Sequence, residues 1–184
     1  MPDSDEALMS SAGRGDREAF TALFKRYRVP VMTFICHYVY SFERAEDLFQ
    51  ETFVRLWRSR RRYDGSRPFR PWLYSIAANI CRDEARRMRY RKTLSLDAEL
   101  EGVKPSDRIP SKLPSPSESA EKDERAGDLR TAIGSLPRDN RVAIVLHQFQ
   151  GLKYREIAEV LDVPIGTVKS RIHSAMAQLR KILK

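Results

Sequence analysis

The polar side chains with the clearest chemistry in this sequence lie near its C-terminal end. Residues 163–181, VPIGTVKSRIHSAMAQLRK, place apolar residues on one side of a helix and polar residues on the other. Their polar members are Thr167, Lys169, Ser170, Arg171, His173 and Ser174. Lys and Arg donate to phosphate oxygens or to guanine O6 and N7, and Ser contacts either group. This side of the helix suits duplex DNA, and the alternative is an ordinary solvated helix surface.

A second basic stretch lies far upstream and is rich in aromatic residues. Residues 52–92 hold thirteen Lys or Arg against three Asp or Glu, about +10 in net charge, whereas the whole chain carries +9. Aromatic residues interleave with these charges, among them Tyr63, Phe69, Trp72 and Tyr74. Aromatic rings beside a basic track stack on unpaired bases, at about 1–3 kcal/mol per base. The stretch therefore suits an opened strand, with burial in the core as the alternative for Trp72 and Tyr74.

Two helical segments must position these surfaces. Residues 93–127 hold four prolines among serines and charges with no sustained apolar period, which predicts a flexible linker. The segments on either side, 1–92 and 128–184, show helical periodicity and no alternating strand pattern. We therefore expect an all-α chain of two small helical domains, with at least three helices in the first and Asp16 as an N-cap.

The end of the chain predicts a helix-turn-helix. Two apolar stripes, in residues 154–161 and 165–181, flank a short break at Asp162, Val163 and Pro164. Proline is tolerated in a first helical turn but not in a helix interior, so Pro164 fixes where the second helix starts. In this motif the second helix enters the major groove and its N-terminal residues meet base edges.

Several function classes are excluded by what the sequence lacks. No run reaches the roughly 18 apolar residues of a membrane span, and the first twenty residues are polar and acidic rather than signal-like. Cys36 and Cys81 form no disulfide framework or metal motif, and the three histidines are far apart in sequence. No phosphate-binding loop or nucleophile motif occurs. We expect a cytoplasmic protein without membrane insertion, cofactor, metal or catalytic residues, and therefore not an enzyme.

Three segments together resemble the bacterial extracytoplasmic-function (ECF) RNA polymerase sigma factors of the sigma-70 family. They are AEDLFQETFVRLW, FRPWLYSIAANICRDEARR and YREIAEVLDVPIGTVKSRIHSAMAQLR, in the family's order and spacing. The resemblance covers nearly everything except the linker. It implies a region 2-like bundle over 1–92, the linker over 93–127 and a region 4-like helix-turn-helix over 128–184. Its implied function is to bind core polymerase, recognise the minus-35 and minus-10 promoter elements and promote DNA melting.

The resemblance also implies roles for particular positions. Docking on the β′ clamp helices would involve Asp47, Gln50, Glu51 and Trp57. The minus-10 reader would comprise Tyr63, Asp64, Gly65, Ser66, Phe69, Asn79 and Arg82. The minus-35 reader would comprise the six polar residues of the C-terminal helix, Thr167, Lys169, Ser170, Arg171, His173 and Ser174.

The implied partners are core RNA polymerase, through the β′ clamp helices and the β flap, and promoter DNA in duplex and single-stranded form. The family commonly also has an anti-sigma protein. Two other functions stay open at this point: a stand-alone regulator that binds duplex operator without polymerase, and an RNA-binding adaptor that uses the basic aromatic helix. Dependence of specific DNA binding on core polymerase separates the first function from both alternatives.

Overall fold

The structure is a computed structural model that describes residues 4–39, 42–94, 127–129 and 131–183. Its helices are α1 (Asp5–Gly13), α2 (Arg17–Tyr38), α3 (Phe42–Ser59), α4 (Phe69–Leu94), α5 (Arg138–Gln148), α6 (Tyr154–Leu161) and α7 (Ile165–Ile182). A 3₁₀ turn over Arg60–Arg62 follows α3, and helical residues 127–129 and 131–134 precede α5.

The prediction of an all-α fold is confirmed, since the described part of the chain contains no strand. We call α1–α4 the N-terminal unit and the described residues from 127 onward the C-terminal unit. The predicted linker falls outside the described residues except at its two ends, where α4 continues to Leu94 and residue 127 is helical.

An aromatic cluster joins α2 to α3. The Phe24 and Phe53 rings meet edge to face with centroids 4.8 Å apart, and the Phe20 and Trp57 rings do so at 4.9 Å. Edge-to-face pairs add about 0.5–1.5 kcal/mol each beyond the burial of apolar area. The cluster fixes which side of α3 faces inward and leaves its acidic side outside.

Helix starts and tight turns follow rules that the sequence shows. As predicted, Asp16 is the N-cap of α2, and its Oδ1 accepts from the Glu18 and Ala19 amides at 2.9 and 3.0 Å. The predicted helix-turn-helix is also present: α6 ends at Leu161, and α7 begins at Ile165 directly after Pro164. Asp162 closes α6 in the left-handed conformation, with φ 54°, which Asp adopts more readily than most residues.

The two units pack against one another through α2 with α5 and through α4 with α6. The Arg141 side chain on α5 crosses this boundary and is only 1% exposed. Its Nε donates to the His37 carbonyl oxygen at 2.9 Å, and its Nη1 donates to the Gly134 carbonyl oxygen at 2.7 Å. The described residues therefore share one continuous hydrophobic core.

The His37 imidazole lies in this boundary in its neutral form. It is 4% exposed, and its Nδ1 has no hydrogen-bond partner among the described residues. Burial, together with the positive charge of Arg141, lowers the pKa of His37 from 6.5 to about 4.

We predict that His37 makes the protein less stable in mild acid. Between pH 6.5 and 4 the unfolded chain binds a proton that the folded chain does not, so the unfolding free energy falls as the pH falls. The loss should approach about 3 kcal/mol near pH 4. Denaturant unfolding at several pH values, compared between wild type and His37→Gln, measures it. Equal pH slopes for the two proteins would contradict the prediction.

Candidate nucleic-acid and protein interfaces

A basic groove lies between α3 and α4. Its volume is about 370 Å³, and it is lined by Arg55, Arg58, Ser59, Arg62, Ile76 and Asn79. Arg58 and Arg62 supply donors for phosphate oxygens, whereas Arg55 is paired with Glu51. The Asn79 amide offers a donor and an acceptor to a base edge. The groove therefore fits a nucleic-acid strand that presents its backbone to α3 and its bases to α4.

The loop between the 3₁₀ turn and α4 forms a second hollow beside this groove. Its volume is about 300 Å³, and it is lined by Arg62, Tyr63, Asp64, Arg67 and Trp72. The Tyr63 and Trp72 ring centroids lie 4.9 Å apart. An aromatic wall beside arginines suits a base removed from its stack.

Local hydrogen bonds hold the loop in shape. The Tyr63 hydroxyl donates to the Arg67 carbonyl oxygen at 2.6 Å. The Asp64 carboxylate accepts from the Ser66 amide at 3.0 Å and from the Ser66 hydroxyl at 2.7 Å, which holds the pKa of Asp64 below its ordinary value. Burial, together with the negative charge of Glu6, raises the pKa of Tyr63 to about 12, so the hydroxyl keeps its proton.

Helix α1 supports this loop, and sequence reasoning missed that role. The Glu6 Oε1 accepts from the Phe69 amide at 3.0 Å and so satisfies a free N–H at the start of α4. A Cβ added to Gly65 would lie 2.8 Å from the Ser10 hydroxyl oxygen, so the loop passes directly over α1. The acidic residues at the start of α1 were the one feature of the sequence that could have indicated this role. No sequence pattern links them to a helix that begins 63 residues later.

Two aromatic residues of the basic stretch belong to the core. Phe69 and Tyr74 are both fully buried, so neither ring is available for stacking in this conformation. The Tyr74 hydroxyl donates to the Gln150 Oε1 at 2.5 Å, across the boundary between the units. Of the candidates for stacking, Tyr63 and Trp72 remain partly accessible.

Asn79 and Arg82 lie together on α4, three residues apart. The Asn79 side chain is exposed, and its Oδ1 accepts from the Arg82 guanidinium. The same guanidinium donates to the Leu161 and Val160 carbonyl oxygens at 3.2 and 3.3 Å. It also lies 3.9 Å from the Asp162 carboxylate. Arg82 is therefore engaged with the end of α6 and the turn after it.

The outer side of α3 carries most of the predicted protein-binding residues. Asp47 and Gln50 are exposed, and Val54 beside them is 43% exposed although it is apolar. Glu51 forms an ion pair with Arg55 at 2.6 Å, one turn further along the helix. Trp57 is half-buried, with the Arg60 guanidinium 3.8 Å from its ring centroid. The surface is acidic with an apolar patch, which suits a basic, partly apolar protein partner.

The predicted reading residues of α7 divide between two sides of the helix. Lys169, Ser170 and His173 are exposed. Arg171 instead forms an ion pair with Asp139 of α5 at 2.6 Å, and Ser174 accepts from the Asn140 amide nitrogen at 3.1 Å. Thr167 is half-buried and accepts from the Ser170 hydroxyl through its carbonyl oxygen at 2.9 Å. The exposed three are therefore free to reach a major groove.

Comparison with known proteins identifies the family. The family described as "Sigma-70 region 2" matches residues 23–91, and "Sigma-70, region 4" matches residues 126–179. The ECF RNA polymerase sigma-E factor of Haemophilus influenzae is 34% identical over 176 residues, which cover 94% of this chain and 91% of that protein. The RNA polymerase sigma-H factor of Pseudomonas aeruginosa is 33% identical and covers 99% of this chain and 95% of its own length.

The chain belongs to the ECF RNA polymerase sigma factors. It is an alternative sigma factor of transcription initiation, and sigma factors are non-enzymatic proteins that bind core RNA polymerase and promoter DNA.

Solved structures support the same assignment. CnrH, solved in complex with the cytosolic domain of CnrY, has a TM-score of 0.66 at 27% identity and covers 98% of this sigma factor and 97% of that chain. The sigma factor RpoE of Bartonella quintana, solved in complex with the anti-sigma factor NepR, has a TM-score of 0.69 at 25% identity and covers 89% and 96%. Within the described ranges of this sigma factor, no helix is both long and apolar enough to span a membrane.

We predict that Glu6 holds the start of α4 in place. Glu6→Ala removes the acceptor for the Phe69 amide and should cost about 1 kcal/mol of unfolding free energy, as loss of a helix cap does. Hydrogen exchange at the Phe69 amide should accelerate. Glu6→Gln keeps a carbonyl oxygen and should restore most of the protection. Unchanged exchange at Phe69 in Glu6→Ala would show that the contact contributes nothing.

Proposed function

We propose that this sigma factor divides its three tasks among three surfaces: the outer side of α3 binds polymerase, the groove and loop beside α4 bind the minus-10 element, and α7 reads the minus-35 element. The observation that carries the proposal is the basic groove beside Asn79, which continues into the aromatic hollow at Tyr63 and Trp72. A base that is paired and stacked in a duplex cannot enter such a hollow, whereas a base of an opened strand can.

For polymerase binding we propose that Asp47, Gln50 and Glu51 of α3 contact the β′ clamp helices of the polymerase. Val54, on the same side of α3, would add an apolar contact to this interface. Trp57 supports this surface from below, because its ring packs against Phe20. The β flap would contact the C-terminal unit, as the resemblance implies.

For the minus-10 element we propose that Tyr63, Asp64, Gly65 and Ser66 surround a flipped base while Asn79 and Arg82 read the strand. Because Phe69 is buried, its role is to anchor the loop on the core rather than to touch DNA. No nucleotide hydrolysis drives the opening. Capture of the base and of the following strand, together with polymerase, supplies the free energy.

For the minus-35 element we propose direct contacts from Lys169, Ser170 and His173, with Thr167 at the same end of the helix. Arg171 and Ser174 fix the orientation of α7 through Asp139 and Asn140. Arg171 becomes a DNA contact if Asp139 releases it.

We propose the domain boundaries 1–92 and 128–184, with the linker 93–127 between them. Its roughly 35 residues reach at most about 115 Å when extended, and two turns of DNA span about 70 Å, so both elements can be bound at once. We place the protein in the cytoplasm with its polymerase. We also propose an anti-sigma partner, because the similar RpoE structure was solved with one.

The direct test of this function is transcription from fragmented source DNA by core polymerase, with and without the protein, followed by mapping of transcript 5′ ends. New starts that share two upstream boxes are expected. Specific binding to duplex DNA without polymerase would instead indicate a stand-alone regulator, and a preference for structured or single-stranded RNA an adaptor.

We predict that Gln50→Ala weakens core polymerase binding about tenfold, because the exposed amide lies at the centre of the proposed contact. Fluorescence anisotropy with labelled protein measures the affinity. Gln148→Ala is the matched control, since Gln148 is also exposed but lies at the end of α5. Equal affinities for the two variants would remove α3 from the interface.

We predict that Lys169→Ala reduces promoter binding by the holoenzyme and leaves core binding intact. The salt dependence of promoter affinity should lose about one unit of slope if Lys169 contacts phosphate. Lys169 is a cleaner test than Arg171, whose substitution also breaks the ion pair with Asp139. Lys181→Ala, an exposed lysine at the other end of α7, should change neither property. Equal effects of the two lysine substitutions would contradict the proposed role.

A further inference from the structure

We propose that Asp139 on α5 determines the base preference of the minus-35 reader by withholding Arg171 from DNA. The Arg171 guanidinium has two competing partners, the Asp139 carboxylate and a guanine of the minus-35 element. The inference rests on the proposed function, because it takes α7 as the helix that enters the major groove. Asp139 acts through Arg171 and is therefore a positioning residue.

The first turn of α5 engages two of the predicted reading residues of α7. Arg171 Nη2 donates to Asp139 Oδ2 at 2.6 Å. Ser174 Oγ accepts from the Asn140 side-chain nitrogen at 3.1 Å, and it accepts from the Gln178 side-chain nitrogen at the same distance. A carboxylate in the first turn of a helix is also favoured by the helix dipole. Asp139 therefore has a fixed position beside α7.

Arg171 lies at the edge between the side of α7 that packs on α5 and the side that faces solvent. Its side chain is 23% exposed, whereas the neighbouring Lys169 and Ser170 are exposed. Arg171 is in the second turn of α7, in the N-terminal half of the helix, where a helix-turn-helix meets base edges. Because a guanidinium carries five N–H donors in one plane, the guanidinium suits a base edge once it leaves Asp139.

Guanine is the base that suits a released Arg171. In the major groove guanine presents two acceptors, O6 and N7, whereas adenine and thymine present one acceptor each and cytosine presents a donor. The planar fork of a guanidinium matches two neighbouring acceptors. Any base preference that Arg171 contributes is therefore a preference for guanine at one base pair.

The ion pair is strong enough to weaken this preference and too weak to abolish it. The Asp139 side chain is 54% exposed, and ion pairs between accessible side chains favour the paired state by about two- to fivefold. A bidentate contact with guanine discriminates against another base by roughly five- to 150-fold. A competing partner subtracts from the contact with guanine, so Asp139 lowers the discrimination at this base pair by up to about fivefold.

Release of Arg171 does not isolate the carboxylate. Arg138 Nε lies 3.8 Å from Asp139 Oδ1, on the other oxygen from the one that Arg171 contacts. Asp139 is also exposed, so water can replace the lost donor. The competition is therefore between two partners of Arg171 and needs no rearrangement of α5.

The experiment measures how tightly the holoenzyme, made from core polymerase and the full chain, binds duplex promoter fragments found by transcript mapping. Each base pair of the upstream box is replaced in turn by the other three, and equilibrium competition gives the relative affinities. Asp139→Asn replaces the charged acceptor by a neutral one, to which hydrogen bonds are about half as strong. In this variant the discrimination in favour of guanine at one base pair should increase by about two- to fivefold.

Three comparisons separate this effect from a general effect of charge or of structure. Asp162→Asn removes the same charge from the turn before α7, where Asn also adopts the left-handed conformation, and should change the affinity for all fragments alike. Asp139→Glu keeps a carboxylate and should discriminate nearly as wild type does. Arg171→Ala should lose the guanine preference, and Asp139→Asn should then change no base preference in that background.

The proposal is overturned if folded Asp139→Asn discriminates at every base pair as wild type does, or if its effect persists without Arg171. Circular dichroism checks folding, and Asp139→Ala, with a good helix former at this position, replaces Asp139→Asn if that variant does not fold. Failure of the proposed function gives a different result. Wild-type binding that is unchanged by every replacement in the upstream box would contradict α7 as the reader, and the inference would fail with it.

Discussion

A buried guanidinium between the two units is the constraint on which the rest of the arrangement depends. Arg141 is 1% exposed, and a charge removed from water is tolerated only where its donors meet acceptors. One acceptor, the Gly134 carbonyl oxygen, belongs to its own unit, and another, the His37 carbonyl oxygen, belongs to α2. Holding Arg141 there sets α5 on α2, and this in turn brings α6 to α4 and Arg82 to the end of α6.

The contact of Arg82 with α6 and the contact of the loop with α1 are independent of one another. The backbone acceptors that bind Arg82 are the ones that any helix leaves free at its C-terminal end, so the contact needs no particular side chain on α6. The loop that forms the aromatic hollow rests instead on α1, through Glu6 and Ser10. Separation of the units would therefore release Arg82 while leaving the loop and the groove intact.

Local patterns predicted a large part of the fold. The Asp16 cap and the position of Pro164 each depend on neighbouring residues, and both predictions are confirmed. Helical periodicity likewise predicted the helix-turn-helix. The resemblance supplied the family and the candidate residues, whose individual roles stay predictions.

Local sequence patterns could not predict the contacts between distant parts of the chain. Tyr74 is an aromatic residue in a basic stretch, and it is a core residue because its ring packs against Phe34 of α2 and its hydroxyl reaches Gln150, 76 residues away. Arg171 has the spacing of a DNA contact, but Asp139 on another helix pairs with it. From the sequence, Glu6 is an ordinary solvated acidic residue, but in the structure it accepts from the Phe69 amide at the start of α4. In each case the partner is fixed by tertiary packing, which periodicity and composition do not encode.

The most direct measurement of the account is the distance between the two units, free and on polymerase. Spin labels at Glu18→Cys on α2 and Arg180→Cys on α7, in a chain with Cys36→Ala and Cys81→Ala, allow it by double electron–electron resonance. We expect one narrow distribution in the free protein, because the two units pack together. With core polymerase and promoter we expect a shift to longer distance by tens of ångströms, because the two promoter elements lie about 70 Å apart. The same distribution in both conditions would contradict it.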